Sequence, residues 1–526
     1  MNLEHATIEN KSPLQEFMFK NRRAKVILWL VGAAIIIQFS IFKYLYPFAN
    51  YIHGDSFSYI RAALINSDIS TYPIGYSRFL RLFSVFTKSD LILVAFQYLL
   101  IQASALFLLF TVFYFYKPGR ITQNILIGFV VLNPLFLHLS NLVSSDCLFV
   151  GLSLIWFGSL LWIIRQPSTT IIIWHAIVLF LAFTVRYNAI VYPFIATIAF
   201  WISDLSLQKK ITGILAGAML CGLFVCFTSY QYKKLTGYWQ FSPFSGWLMT
   251  NNAMYAYRYV DSANRKAVPK KFQVFDNMLR KYFDSTRDTK RFPQEAMQAS
   301  TVYMWTPRLP MYKYRESLFK KDTTVTMEFE KWASMGPFYK DFGLHMIKLY
   351  PWHYARYFMW PNANKYYAPP LEFLQMYNSG KDSVKNEAKE WFGYKTAKVK
   401  IRMKDNEVWV LNFYPILSGI INLVMLCLLI FFITLNGWNF REQFGKLVLL
   451  GGSIWLINAG FTILTSSAAL RFQSFPITLT TILVIMLVDW MVQLMKSMKK
   501  SSTNSINVIE KEDLLSEAVV FRESIR

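Results

Sequence analysis

About ten stretches of this chain, each mostly apolar and most of them close to twenty residues long, decide what it can fold into. A helix of that length spans the roughly 30 Å of hydrocarbon in a bilayer. Inside lipid the backbone must satisfy its own polar groups, and a helix does so within a single segment. The first block, Val26 to Tyr44, is followed by runs near 90–116, 121–142, 145–165, 170–187, 188–203, 211–231, 411–435, 446–466 and 474–495. The sequence therefore predicts an all-α polytopic membrane protein with about ten transmembrane helices. Of its 526 residues, 54% are hydrophobic, which is what such a fold requires.

The first block has no small-residue cleavage signal and follows Lys20, Arg22, Arg23 and Lys25, so it reads as a retained helix whose basic flank stays cytoplasmic. An alternating path then keeps Lys117/Arg120, Arg165, Lys209/Lys210, Arg441/Lys446 and Lys496/Lys499/Lys500 on that same side. The pair of blocks between 170 and 203 is short and holds Arg186, Asn188 and Pro193, so a broken or re-entrant element is an alternative there. One helix more or fewer would invert everything downstream.

This path divides the chain into a cytoplasmic segment 1–25, a membrane module 26–231 with an outer loop 45–89, an outer-face and mostly helical domain 232–410, membrane helices 411–496 and a cytoplasmic tail 497–526. In the outer domain, Phe272-Gln-Val-Phe-Asp-Asn-Met-Leu-Arg-Lys-Tyr282 has the apolar spacing of an amphipathic helix. The polar, mixed-charge tail after Lys500 reads as disordered or dispensable. A net charge of +24 meets membrane phosphates or a lipid-linked phosphate more readily than nucleic acid, for which the chain carries no motif. Cys147, Cys221, Cys226 and Cys427 lie in or beside apolar blocks, so no outer disulfide framework is expected.

The outer face collects the residues that carry chemistry. Asp55, in Tyr51-Ile-His-Gly-Asp-Ser-Phe-Ser-Tyr59, is either a loop cap for Phe57 or Ser58 or a catalytic carboxylate between His53 and Tyr59, acting as base on an acceptor or orienting it. Asp146 follows Ser144 and Ser145 at the tight turn between two blocks, where N-capping and chemistry are both open. Arg186 lies near an outer membrane end, where a charge demands a partner or an anionic ligand. Arg471 stands at the outer start of the last helix and could grip a phosphate with two parallel hydrogen bonds, or snorkel. In Tyr72-Pro-Ile-Gly-Tyr-Ser-Arg-Phe79, Pro73 and Gly75 shape a turn into an interfacial helix, Arg78 with Arg81 adds positive charge, and Tyr72 and Tyr76 suit interfacial anchoring. His353 and Arg356 share a face if Tyr350–Trp360 is helical; with Trp360 they suit packing, membrane docking or acceptor contact.

Together these residues resemble the GT-C superfamily of membrane glycosyltransferases, which includes protein mannosyltransferases and the lipid A aminoarabinose transferase. Gly54-Asp-Ser-Phe-Ser-Tyr59 looks like the family's first-outer-loop acidic motif, and Tyr72-Pro-Ile-Gly-Tyr76 like its Tyr-Pro stretch. Asn133-Pro134, Ser144-Ser-Asp-Cys-Leu-Phe149, Arg186, and Arg471 followed by Pro476 extend the likeness, which covers mainly residues 25 to 230.

The resemblance implies transfer of a sugar from a polyprenyl-phosphate donor to a glycan, lipid or protein acceptor, on the outward face of a bacterial inner membrane. It makes Asp55 the catalytic carboxylate, Asp146 its assistant, and Arg186 and Arg471 the grip on the carrier phosphate, with His53, Tyr59, Tyr76 and Arg78 as further substrate contacts. No cofactor is required, and a divalent metal between Asp55 and Asp146 is an option with few ligands. The acidic motif has a lone Asp where protein mannosyltransferases have Asp-Glu, and the outer domain precedes the last three helices instead of ending the chain. The rival readings are a transporter or flippase of an isoprenoid-linked or anionic glycolipid, and a noncatalytic envelope-assembly scaffold.

Overall fold

Lipid-length apolar runs fold as helices, and in the computed structural model nearly all regular structure is helical. It describes residues 14–20, 22–320, 327–440 and 442–523, with backbone alone beyond Met498. Residues 1–13, Arg441 and the side chains of Lys499 and Lys500 thus lie outside the described set. Among the described residues no strand forms, and pairing is limited to isolated bridges such as Asn50 with Leu142. Among the described residues eight helices are long and apolar enough to cross a membrane: Arg22–Leu45, Asp90–Tyr116, Arg120–Asn141, Ser145–Arg165, Leu207–Thr236, Trp409–Thr434, Glu442–Thr465 and Leu470–Met498. The chain is a multi-pass α-helical membrane protein.

The space between 170 and 203 holds a broken element. Thr169–Val185 has 17 residues, about 25 Å of helix at 1.5 Å per residue. The backbone then becomes extended at Arg186, passes through the 3-10 turn Tyr187–Val191 and resumes as Tyr192–Trp201, with Pro193 in its first turn. A similar break splits Arg120–Asn141 at Asn133-Pro134, where Asn133 caps the second half by accepting from Leu135 N.

The helix Ser145–Arg165 is the most enclosed; Asp90–Tyr116 packs along it, and the last helix packs against Ser145–Arg165, Trp409–Thr434 and Glu442–Thr465. At the basic end of the bundle, Asp489 of the last helix accepts from Gly119 N at 3.1 Å and Thr122 Oγ1 at 2.6 Å, closing the start of Arg120–Val131. The last helix then runs unbroken to Glu523, so the tail expected to be disordered is helical here. That tail contains no Pro or Gly to stop the helix.

At the opposite end the long segment 232–410 divides its apolar contacts. Residues from Tyr232 to Phe358 build a core of their own around Trp247, Phe275 and Tyr339. The expected amphipathic helix belongs to it: Gln273–Ser285 buries Phe275, Leu279 and Phe283 on one face. By contrast Leu374, Tyr377, Val384, Trp391 and Val408 join the core of the membrane helices. Tyr377 Oη donates to Ala49 O at 2.9 Å, so this later part covers the first outer loop.

Candidate functional site

The first outer loop runs extended from Pro47 to His53, held by hydrogen bonds from Asn50 N to Asn141 O (2.7 Å) and from Val143 N to Asn50 O (3.0 Å). It turns into the helix Asp55–Leu64, whose first residue is the acid, where the helix dipole favours negative charge. Chain return through Ser70–Pro73 brings the Tyr72 hydroxyl to donate to Asp55 Oδ1 at 2.7 Å. Arg471, in the first turn of the last helix, places Nη1 2.7 Å from Asp55 Oδ2. Both carboxylate oxygens of Asp55 are therefore fixed, yet 17% of the side chain stays exposed.

Asp146 sits one layer deeper, with a side chain 1% exposed. Ser144 is the N-cap of Ser145–Arg165, and its hydroxyl donates to Asp146 Oδ2 at 2.6 Å. Oδ1 accepts from Arg186 Nη1, and Oδ2 also lies 3.4 Å from Arg471 Nη1. The extended backbone at Arg186 turns this guanidinium out of the helix line toward Asp146.

The four charges alternate: Asp55, Arg471, Asp146, Arg186. Their sum is zero, so each buried charge has an opposite partner whose attraction offsets part of its desolvation cost. Aromatic faces complete the enclosure. The Arg471 guanidinium lies 4.3 Å from the Phe472 ring centre and 4.9 Å from that of Phe373, while Arg186 lies 4.6 Å from the other partner it shares, Phe472. Arg471 Nε is buried with no acceptor among the described residues. A buried charge-bearing N–H without a partner calls for an oxygen supplied from outside the chain.

Tyr59 and Tyr76 lie behind this group. Tyr59 Oη shares a hydrogen bond of 3.0 Å with Ser145 Oγ, and its ring centre is 5.4 Å from that of Tyr72. Burial first, and the Asp55 charge second, push the Tyr72 and Tyr59 hydroxyls well above the usual phenol range, so both remain proton donors. Tyr76 is fully enclosed, and donates to Gln97 Oε1 at 2.9 Å; Gln97 in turn donates to Ser140 O and Leu142 O. It supports the turn that carries Asp146 and has no open side for substrate.

The other expected contacts lie elsewhere. Arg78 pairs with Asp68 at 2.5 Å and with Asn66 on an exposed surface, because its helix Gly75–Ser84 points it back at the loop 66–68. His53 sets its ring edge-on to Phe57 and faces the turn at Asn378–Lys381; burial, then Lys381, lowers its pKa below the ordinary imidazole value. His353 and Arg356 stack about Tyr357, Trp360 is 67% exposed, and Tyr354 Oη ties the stretch to Leu464 O at 2.7 Å. No contact among the described residues joins these three to Asp55. Nor does any group of three His, Cys, Asp or Glu side chains among the described residues have metal-holding spacing. Asp55 and Asp146 are bridged by Arg471 in the place where a shared ion would sit.

Glu372 was not singled out by sequence. It lies in Pro369-Pro-Leu-Glu-Phe373, in a region with no periodicity to mark it, and its carboxylate is within electrostatic reach of Arg471, Lys365 and Asp55. The fold thus defines a helical membrane protein with a buried ion network at one end of its bundle. No protein-family model, curated protein or solved structure matches the chain.

Proposed function

We propose that the chain is a GT-C-type glycosyltransferase that moves a sugar from a polyprenyl-phosphate carrier to a lipid, glycan or protein acceptor. The observation that carries this reading is the convergence of Asp55, Asp146, Arg186 and Arg471, with the Arg471 Nε donor buried and unpartnered. A phosphate oxygen is the acceptor that this donor lacks. As the bond between the anomeric carbon and the phosphate oxygen breaks, negative charge grows on that oxygen, and a preorganised guanidinium stabilises it. Asp55, its oxygens held by Tyr72 and Arg471, orients the incoming acceptor hydroxyl or amine at the partly open edge of the network. Activation energy arrives with the lipid, so no nucleotide loop is needed. Ten crossings, with this end facing outward, would let both carrier and acceptor reach Asp55.

The test is transfer of radiolabel from a panel of polyprenyl-phosphate sugars to native membrane extract by the purified protein. Asp55→Asn should lower transfer by about 100-fold or more, the scale of a lost positioning group. One observation favours transport instead: the helix break at Arg186–Val191, the kind of discontinuity that transporters use near substrate. Wild-type protein that transfers nothing across the whole panel, yet moves labelled lipid between vesicle leaflets, would overturn the transferase reading.

A further inference from the structure

Asp55 is poorly set to take a proton. One oxygen accepts from Tyr72 and the other is 2.7 Å from the Arg471 guanidinium, so both oxygens are already engaged. Asp146 has both oxygens occupied and no open face. A transfer to a hydroxyl nevertheless releases a proton, and the network as described has no group free to receive it.

The segment 369–373 supplies one. Pro370 O accepts from Leu470 N at 2.9 Å, which pins the segment to the start of the helix that carries Arg471. Three residues on, the Phe373 ring lies 4.9 Å from the Arg471 guanidinium. Glu372 sits between these two anchors in the left-handed backbone region, at φ 22°, followed by Phe373 at φ 63°. For residues with side chains this conformation is unfavourable, and it persists where the surroundings over-determine it, commonly at functional sites. The half-buried Glu372 carboxylate makes no hydrogen bond or ion pair among the described residues. Lys365, the other cation that acts on it, spends its ammonium on Gln298 O (2.7 Å) and Ala299 O (3.0 Å).

We propose that Glu372 is the general base of the transfer, a role that rests on the glycosyltransferase reading. The acceptor oxygen bonds to the anomeric carbon, the carbon–oxygen bond to the carrier phosphate breaks with its electron pair leaving on the phosphate, and the acceptor proton passes to the Glu372 carboxylate. From there it returns to water. Two anchors on the Arg471 helix keep this acid beside the leaving-group site, while its lack of a partner keeps an oxygen available. Burial first raises its pKa above the usual carboxylate value, against the opposing pull of Arg471 and Lys365, which brings it closer to the working pH of a base.

The experiment uses the full chain, with donor binding and transfer measured separately on wild type, Glu372→Gln and Glu372→Asp. Wild type must first transfer from one donor of the panel; if none works, the functional reading fails and this role fails with it. Given a working donor, Glu372→Gln should bind it within about threefold of wild type and transfer about 100-fold or more slowly, the usual contribution of a general base. Glu372→Asp should keep partial activity, with the acid limb of its kcat/KM profile moved to a different pH. Transfer by Glu372→Gln within threefold of wild type overturns the assignment and leaves the transferase reading standing. Should the glutamine variant not fold, an acid limb unmoved in Glu372→Asp overturns it equally.

Discussion

Asp55 and Asp146 share one arginine but differ in what surrounds them, and the difference separates function from stability. Asp146 is 1% exposed and balances two guanidiniums, so its removal leaves Arg186 uncompensated and Arg471 with Asp55 alone. Breaking a buried pair in this way costs about 3–5 kcal/mol. Asp55 is 17% exposed, and without it Arg471 still has Asp146. Asp146→Asn should therefore lower the melting temperature of the detergent-solubilised protein by several degrees, at least twice the fall caused by Asp55→Asn. Equal shifts would place both acids in the same structural role. The sequence exposed these two acids and both arginines because a charge at a membrane end is rare enough to stand out. Their pairing was not legible: Arg471 and Asp146 are 325 residues apart, and nothing in either motif names the other. Glu372 stayed hidden for the opposite reason, being one acid among many in a polar outer segment. Arg78 and Tyr76 read as substrate contacts by their nearness to Asp55 in sequence, but a helical turn separates their side chains, sending one to Asp68 and the other into the core.

At the scale of elements, the site depends on how closely two of them approach. The helix Gly75–Ser84 begins against the end of Thr169–Val185, and a Cβ on Gly75 would lie 2.6 Å from both the carbonyl carbon and oxygen of Thr184. Those are backbone atoms two residues ahead of Arg186, so they can yield only by moving the strand-like turn that aims the guanidinium at Asp146. Overpacking of this kind costs typically about 1–3 kcal/mol. Gly75→Ala is accordingly expected to cut transfer by tenfold or more while the protein still folds. Gly128→Ala, whose Cβ would meet nothing within 4 Å, should transfer like wild type. Equal activity of the two variants would show that this contact does not position Arg186. The same economy of space recurs in the outer core, where Pro243–Tyr257 and Gly336–Leu349 cross so closely that a Cβ on Gly246 would lie 2.1 Å from Gly336 O. Helix positions were legible from apolar spacing, and the break at Arg186 was signalled by Arg186, Asn188 and Pro193. These close approaches were not, since a glycine in a helical run has the same appearance whether or not another backbone lies against it.

For the whole molecule the governing question is which face of the membrane each end meets. The helix pair at 169–201 makes the path depend on two short elements, neither of which reaches the length of the eight long helices. Lys117, Arg120, Arg165, Lys209 and Lys210 flank the turns at one end, and by the positive-inside tendency the proposed orientation has that end in the cytoplasm. On the orientation we propose, the Asp55 network and the 371–411 cover would face outward. Cys147, Cys221, Cys226 and Cys427 are all free, so replacing them leaves a background in which single cysteines report sidedness. In that background an impermeant maleimide applied to intact cells should label Lys381→Cys. Gln166→Cys and Lys209→Cys should label only after permeabilisation. Gln166 and Lys209 bracket the two short helices, so labelling of one without the other would mean that a single member of the pair crosses, and every later helix would be inverted. Labelling of both from outside, with Lys381→Cys protected, would put the ion network on the cytoplasmic side, where a carrier-linked sugar displayed on the outer leaflet could not reach Asp55.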